Sequence, residues 1–99
     1  MPNHHFRIAH YDLTSGTAEE AVDIARGGML PIFRDQPGFV RYELGLLDNG
    51  GVLSFSIWET SDEADRATAL AADFVRDNLA DRIRLREVHT GDLLLDEDA

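Results

Sequence analysis

The stretch FVRYELGLLDNGGVLSFSIWET, Phe39–Thr60, decides the fold. Two apolar-rich runs flank Asp48-Asn49-Gly50-Gly51, the pattern of a β-hairpin. Asn49-Gly50 as the whole loop suits a type I′ turn, in which both central residues take φ > 0. That loop sets Leu46 against Leu53, Leu44 against Phe55 and Tyr42 against Ile57. One sheet face then carries Val40, Tyr42, Leu44, Leu46, Leu53, Phe55 and Ile57. The other carries Arg41, Glu43, Gly45, Leu47, Val52, Ser54, Ser56 and Trp58. The first face is too apolar to be left wet. The second mixes small, polar and aromatic groups, as a cavity wall does. Two occupied faces in so short a chain imply its own helices on one side and a partner on the other.

Working outward, Phe6–Leu13 reads as a first strand and Thr14-Ser15-Gly16 as a turn. Thr17-Ala18-Glu19-Glu20 fits a capping box, with the Thr17 hydroxyl and the Glu20 carboxylate each satisfying an end of the helix. The helix places Ala21, Ala25, Met29, Ile32 and Phe33 near one face. Gly27-Gly28 weakens it by roughly 1 kcal/mol per residue relative to alanine, and Pro31 removes a backbone donor, so a kink or restart is expected over 27–31. Pro37-Gly38 ends the segment. Thr60 and Glu63 make a second capping box, and Asp62, Glu63 and Asp65 suit the positive end of the helix dipole. The stripe of this helix is rich in alanine, which lets it approach the sheet closely, and Ile83 is expected as its last apolar contact. Val88–Leu95 reads as the fourth strand, with Gly91 marking a bulge or a close backbone approach. The order is βαββαβ. The expected fold is α+β, ferredoxin-like: a four-stranded antiparallel sheet with two helices on one face.

The 99 residues make one domain, with an ordered core expected over about 6–95 and an acidic tail at 96–99. Without cysteine there is neither a disulfide framework nor a thiolate metal site. Net charge is −10 and lysine is absent, which argues against nucleic acid or an anionic membrane as partner. The absence of lysine also excludes Schiff-base chemistry. No run approaches membrane-spanning length and the start MPNHHFRI lacks an apolar signal region, so a cytoplasmic protein is expected.

Five residues stand out as candidates for chemistry. Trp58 can stack on a flat aromatic ligand or simply pack where the second helix enters. Ser54 and Ser56 can hydrogen-bond a ligand oxygen or serve as small spacers. Glu43, which shares their face under the two-residue loop, is a candidate base, or else pairs with an arginine. His10 is a second candidate base, since imidazole titrates near neutrality, or else a hydrogen-bonded strand residue. The four histidines do not form a spaced metal set, and no metal is expected.

The strings Gln36-Pro37-Gly38-Phe39, Arg41-Tyr42-Glu43-Leu44 and Ile57-Trp58-Glu59-Thr60 resemble the antibiotic biosynthesis monooxygenase family, and the resemblance spans Phe6 to Leu95. It implies a dimeric α+β barrel, with a homodimer formed by sheets packed face to face. It further implies a small-molecule protein, in some members an oxygenase that acts on quinol-like aromatics without a cofactor. The alternative on the same scaffold is a non-catalytic ligand-binding or structural dimer. The quinone-forming members look to use an Asn four residues before the tryptophan and a Tyr six after it, where this chain has Ser54 and Ala64. The haem-degrading members look to use an Asn, a Trp and a His, where it has Ile8, Arg66 and Arg76. No haem is therefore expected. A cavity above roughly 300 Å³ between helices and sheet, with a polar group beside Trp58, would suit a ligand site.

Overall fold

The computed structural model describes residues 4–97; Asp98 and Ala99 of the expected acidic tail lie outside them, as do Met1–Asn3. The elements are β1 (His5–Leu13), α1 (Ala18–Gly27), α2 (Met29–Arg34), β2 (Phe39–Leu46), β3 (Val52–Trp58), α3 (Ser61–Asn78) and β4 (Ile83–Asp92). The sheet order is β2-β3-β1-β4, antiparallel throughout. The helices cover one face, as the ferredoxin-like reading requires.

Local chemistry sets the helix ends. Thr17 accepts from the Glu20 N–H at 3.2 Å, and Glu20 accepts from the Thr17 N–H at 2.9 Å, closing the expected box. The first helical segment divides at Gly28, and Pro31 falls in the first turn of α2, where a missing backbone donor matters least. At the second box Thr60 accepts from the Glu63 N–H at 3.3 Å. The Glu63 carboxylate accepts a hydrogen bond from the Thr60 hydroxyl at 2.9 Å, not from its backbone N–H, so only half of the reciprocal pattern forms.

The hairpin differs from expectation by one residue. The Leu47 N–H donates to the Gly51 carbonyl at 2.7 Å, and the Gly50 N–H to the Leu47 carbonyl at 2.9 Å. The loop is therefore three residues, Asp48-Asn49-Gly50. Only Gly50 takes positive φ (94°); the Asn49 side chain instead accepts from the Gly51 N–H at 3.0 Å. This is a turn closed by a glycine bulge, not a type I′ turn. Leu46 now faces Val52, Leu44 faces Ser54 and Tyr42 faces Ser56. Because side chains alternate with period two, the slip exchanges the faces of β2 relative to β3. Tyr42 and Leu44 join Ser54 and Ser56 under the helices. Glu43 joins Phe55 on the open face, so it does not share a face with the two serines.

The fourth strand also starts earlier than expected. Ile83 opens β4 instead of closing the preceding helix, because the long β1 pairs along its whole length, from Leu13↔Ile83 to His5↔Asp92. The strand ends at Asp92, leaving Leu94 and Leu95 exposed beyond it.

Gly50→Ala tests the loop. A Cβ there meets nothing within 4 Å, so any cost is conformational. Denaturant titration should show a loss of about 1–2 kcal/mol. Gly45→Ala, with equally open space and no positive φ, should lose nothing.

Candidate active site

Alternation sends Arg7, Ala9 and Tyr11 of β1, Tyr42 and Leu44 of β2, and Val52, Ser54, Ser56 and Trp58 of β3 toward the helices. Two buried clusters form there. One gathers Tyr11, Ala21, Val52 and Ile83; the other gathers Met29, Phe33, Trp58 and Ala67. An internal cavity of about 40 Å³ is lined by both clusters. Its polar groups all come from the sheet: Arg7, Tyr11, Tyr42 and Ser54. The space suits a few water molecules and is far below the volume of a bicyclic ligand.

The five candidate residues do not converge. Ser54 lines the cavity. Trp58 is 0 % exposed, its Nε1–H donates to the Ser56 hydroxyl at 2.9 Å, and its ring meets Phe33 and Phe39 edge-on at 5.1 and 5.4 Å between centroids. Trp58 and Ser56 thus satisfy each other within an aromatic cluster outside the cavity lining. His10 and Glu43 lie on the opposite face of the sheet, facing Leu53 and Phe55 across their strand pairs. The His10 Nε2 is buried without a hydrogen-bond partner, 3.1 Å from where a Cβ on Gly51 would stand. Ala64 is also 0 % exposed, so α3 leaves no room at that position for a tyrosine.

The residue that sequence reasoning missed is Arg7. It is 2 % exposed, and its Nε–H donates to the Thr68 hydroxyl at 2.9 Å. That hydroxyl in turn donates to the Ala64 carbonyl at 3.1 Å, which fixes its lone pairs toward the guanidinium. No carboxylate pairs with Arg7 among the described residues, although Arg26, Arg76, Arg82, Arg84 and Arg86 all have acidic partners. The signal was its parity with Ala9 and Tyr11, but the strand alternates only loosely and its sequence does not mark which parity is buried. Nearby, burial pushes the Tyr42 phenol up to about 12, against the opposing pull of the Ser54 hydrogen bond and the Arg7 charge. At neutral pH it is therefore a proton-bearing donor. Among the described residues, no three His, Asp or Glu side chains are grouped to hold a metal ion, and no helix is long and apolar enough to cross a membrane.

The family model described as antibiotic biosynthesis monooxygenase matches residues 5–76. The chain belongs to this family. Among solved structures it is similar to SnoaB, a cofactor-independent oxygenase from Streptomyces nogalater, at 18% identity and a TM-score of 0.71 over 95% of this chain and 96% of that one. It is also similar to a monooxygenase from the gene ActVA-Orf6 of Streptomyces coelicolor, solved with nanaomycin D, at 16% identity and a TM-score of 0.74 over 98% and 93%. NE2512 of Nitrosomonas europaea, a protein of unknown function, is as similar in shape: 13% identity and a TM-score of 0.74 over 98% and 95%. At these identities the likeness establishes the fold alone. No curated protein matches the sequence significantly.

The Tyr42 environment predicts a pH dependence. The unfolded tyrosine ionises near 10, the folded one near 12, so the folded state holds the extra proton between them. Stability should be unaffected below about pH 10 and fall as pH rises through this window, by up to about 1.4 kcal/mol per pH unit. Denaturation at graded pH should show this slope, and Tyr42→Phe should remove its share.

Proposed function

We propose that this chain is a cytoplasmic homodimer that oxygenates a small aromatic, quinol-like molecule without a bound cofactor. The observation that carries the reading is the polar wall of an otherwise apolar core: a buried cation, two phenols and a hydroxyl on the sheet side of one cavity. Cofactor-free oxygenation needs a substrate that reacts with oxygen as its anion. An activated CH₂ and O₂ give a carbonyl and water, with all four electrons leaving the substrate carbon. The protein's part is to favour the anion and hold it. Arg7, which lines both this cavity and the groove between α3 and β4, supplies a charge in a low-dielectric site, while Tyr42 and Ser54 hydrogen-bond to the anion through the few waters the cavity can hold. The candidate bases His10 and Glu43 are across the sheet from this wall, so the substrate proton leaves to solvent in this scheme. Family membership supports the reaction class.

The homodimer is supported by the open sheet face. Phe6 and Phe55 stack there at 6.4 Å between centroids, beside Ile8, all three half-buried. A second copy packed on this face would bury apolar area that the chain's own helices leave uncovered.

The second reading is a non-catalytic ligand-binding or structural dimer. It is favoured by the small cavity, by the closed Trp58–Ser56 pair and by Ser54 and Ala64 at the two divergent positions.

Oxygen-electrode traces with anthrone and naphthoquinol substrates, without flavin or metal, separate the two. Uptake above the spontaneous rate supports the oxygenase, and its absence across the panel supports the second reading. Trp58→Ala should cost about 3–5 kcal/mol in stability under either reading, since the ring is wholly buried. Sedimentation should give about twice the 11.0 kDa chain mass, and a monomer at micromolar concentration would refute the dimer.

A further inference from the structure

We propose that the ligand of this protein is an aromatic organic anion, seated in the groove between α3 and β4 with its charge on Arg7. The proposal builds on the small-molecule reading above, but requires no turnover.

The groove has a volume of about 350 Å³, within the range of small-molecule sites. Ala72 and Val75 of α3 and Leu85 and Val88 of β4 form apolar walls suited to a flat ring. Arg7, Tyr11 and Val75 line this groove and also the internal cavity, so they form the partition between the two spaces. Arg7 is the feature that points to a ligand. A buried charge without a counter-charge is costly, and proteins ordinarily pair it. This chain has 19 acidic residues, and none pairs with Arg7 among those described. Thr68 holds the Nε side of the guanidinium and offers no charge. Among the described residues no side-chain hydrogen bond or ion pair engages the terminal nitrogens, which are free to meet an acceptor in the groove. Arg76, also on the groove wall, is already committed to Asp73 and Asp77.

An oxyanion on an aromatic ring, carboxylate or phenolate, meets both requirements. The ring fills the apolar walls, and the oxygen completes Arg7. A long polyanion is disfavoured by the net charge of −10.

Calorimetric titration of the full chain with 2-naphthoate and its neutral counterpart 2-naphthamide tests this, and 2,4-dinitrophenolate distinguishes phenolate from carboxylate as the preferred group. Either anion should bind at least about tenfold more tightly than the amide. Arg7→Met should abolish that preference and raise the melting temperature of the ligand-free protein, because an apolar chain replaces an unpaired charge. Arg7→Gln, which keeps a donor for Thr68, should also abolish it and serves if the methionine variant does not fold. Ala72→Trp, at an exposed position on the groove wall, should weaken all binding about tenfold with the melting temperature unchanged. The proposal is overturned if neither anion binds at millimolar concentration. It also falls if acid and amide bind alike, if the preference survives loss of the Arg7 charge, or if Ala72→Trp leaves binding intact. Anion-selective binding without oxygen uptake would refute the oxygenase reading and leave the groove standing. Oxygen uptake lost in Arg7→Met but untouched by Ala72→Trp would do the reverse.

Discussion

The closure of the β2–β3 hairpin between Leu47 and Gly51 governs what this protein can hold inside. One hydrogen-bonded pair at the turn decides the register, and the register decides which side chains of β2 meet the helices. With three residues in the loop, Tyr42 is drawn into the core, where it meets the Phe33 ring edge-on at 5.0 Å between centroids. With two, the same phenol would share a face with Phe55 and Ile57, and Glu43 would stand opposite Ser56. The polar wall would then carry a carboxylate opposite Arg7 in place of a phenol. The electrostatic character of the interior therefore depends on the conformation of Gly50, at the far end of the hairpin.

A second constraint is how near α3 comes to the sheet. Ala64, Ala67 and Ala71 are its buried residues. Small side chains bring the helix axis close, which closes the space above Trp58 and shrinks the internal cavity. The same approach lets Thr68 reach Arg7 across the layer. A larger residue at 64 would hold the helix off and reopen the space, at the expense of that link. The narrow interior and the tethered cation are thus two results of one packing choice.

Much of the fold was legible because its signals are local. Thr17–Glu20 and the Gly27-Gly28-Pro31 break depend on neighbours a few residues apart, and both stand where the sequence put them. The family pattern around Trp58 was legible for the same reason. The hairpin register was not, because Asp-Asn-Gly-Gly supports either loop length and the choice rests on tertiary packing. The start of β4 was not, because its length comes from its partner β1, distant in sequence. Ser54, Ser56 and Trp58 were grouped on one face by alternation, but which face the helices cover was not legible. Glu43 was misplaced by the register error alone. Arg7 escaped notice because a cation between Phe6 and Ile8 reads as solvated, and only the assembled sheet shows that Phe6 and Ile8 face the other way.

The break at Gly28 has a consequence for how such interiors diverge. A Cβ at this position would overlap the edge of the Phe74 ring, so the glycine is the socket against which that ring fits. Phe74 also forms part of the internal cavity wall. Volume added at 28 must drive the ring toward the cavity, and volume removed at 74 must enlarge it. The two positions are therefore coupled: the tolerance of one depends on the occupant of the other. Descendants of this scaffold that evolve a roomier interior would be expected to change both together, leaving a covarying pair between the first helical segment and the third.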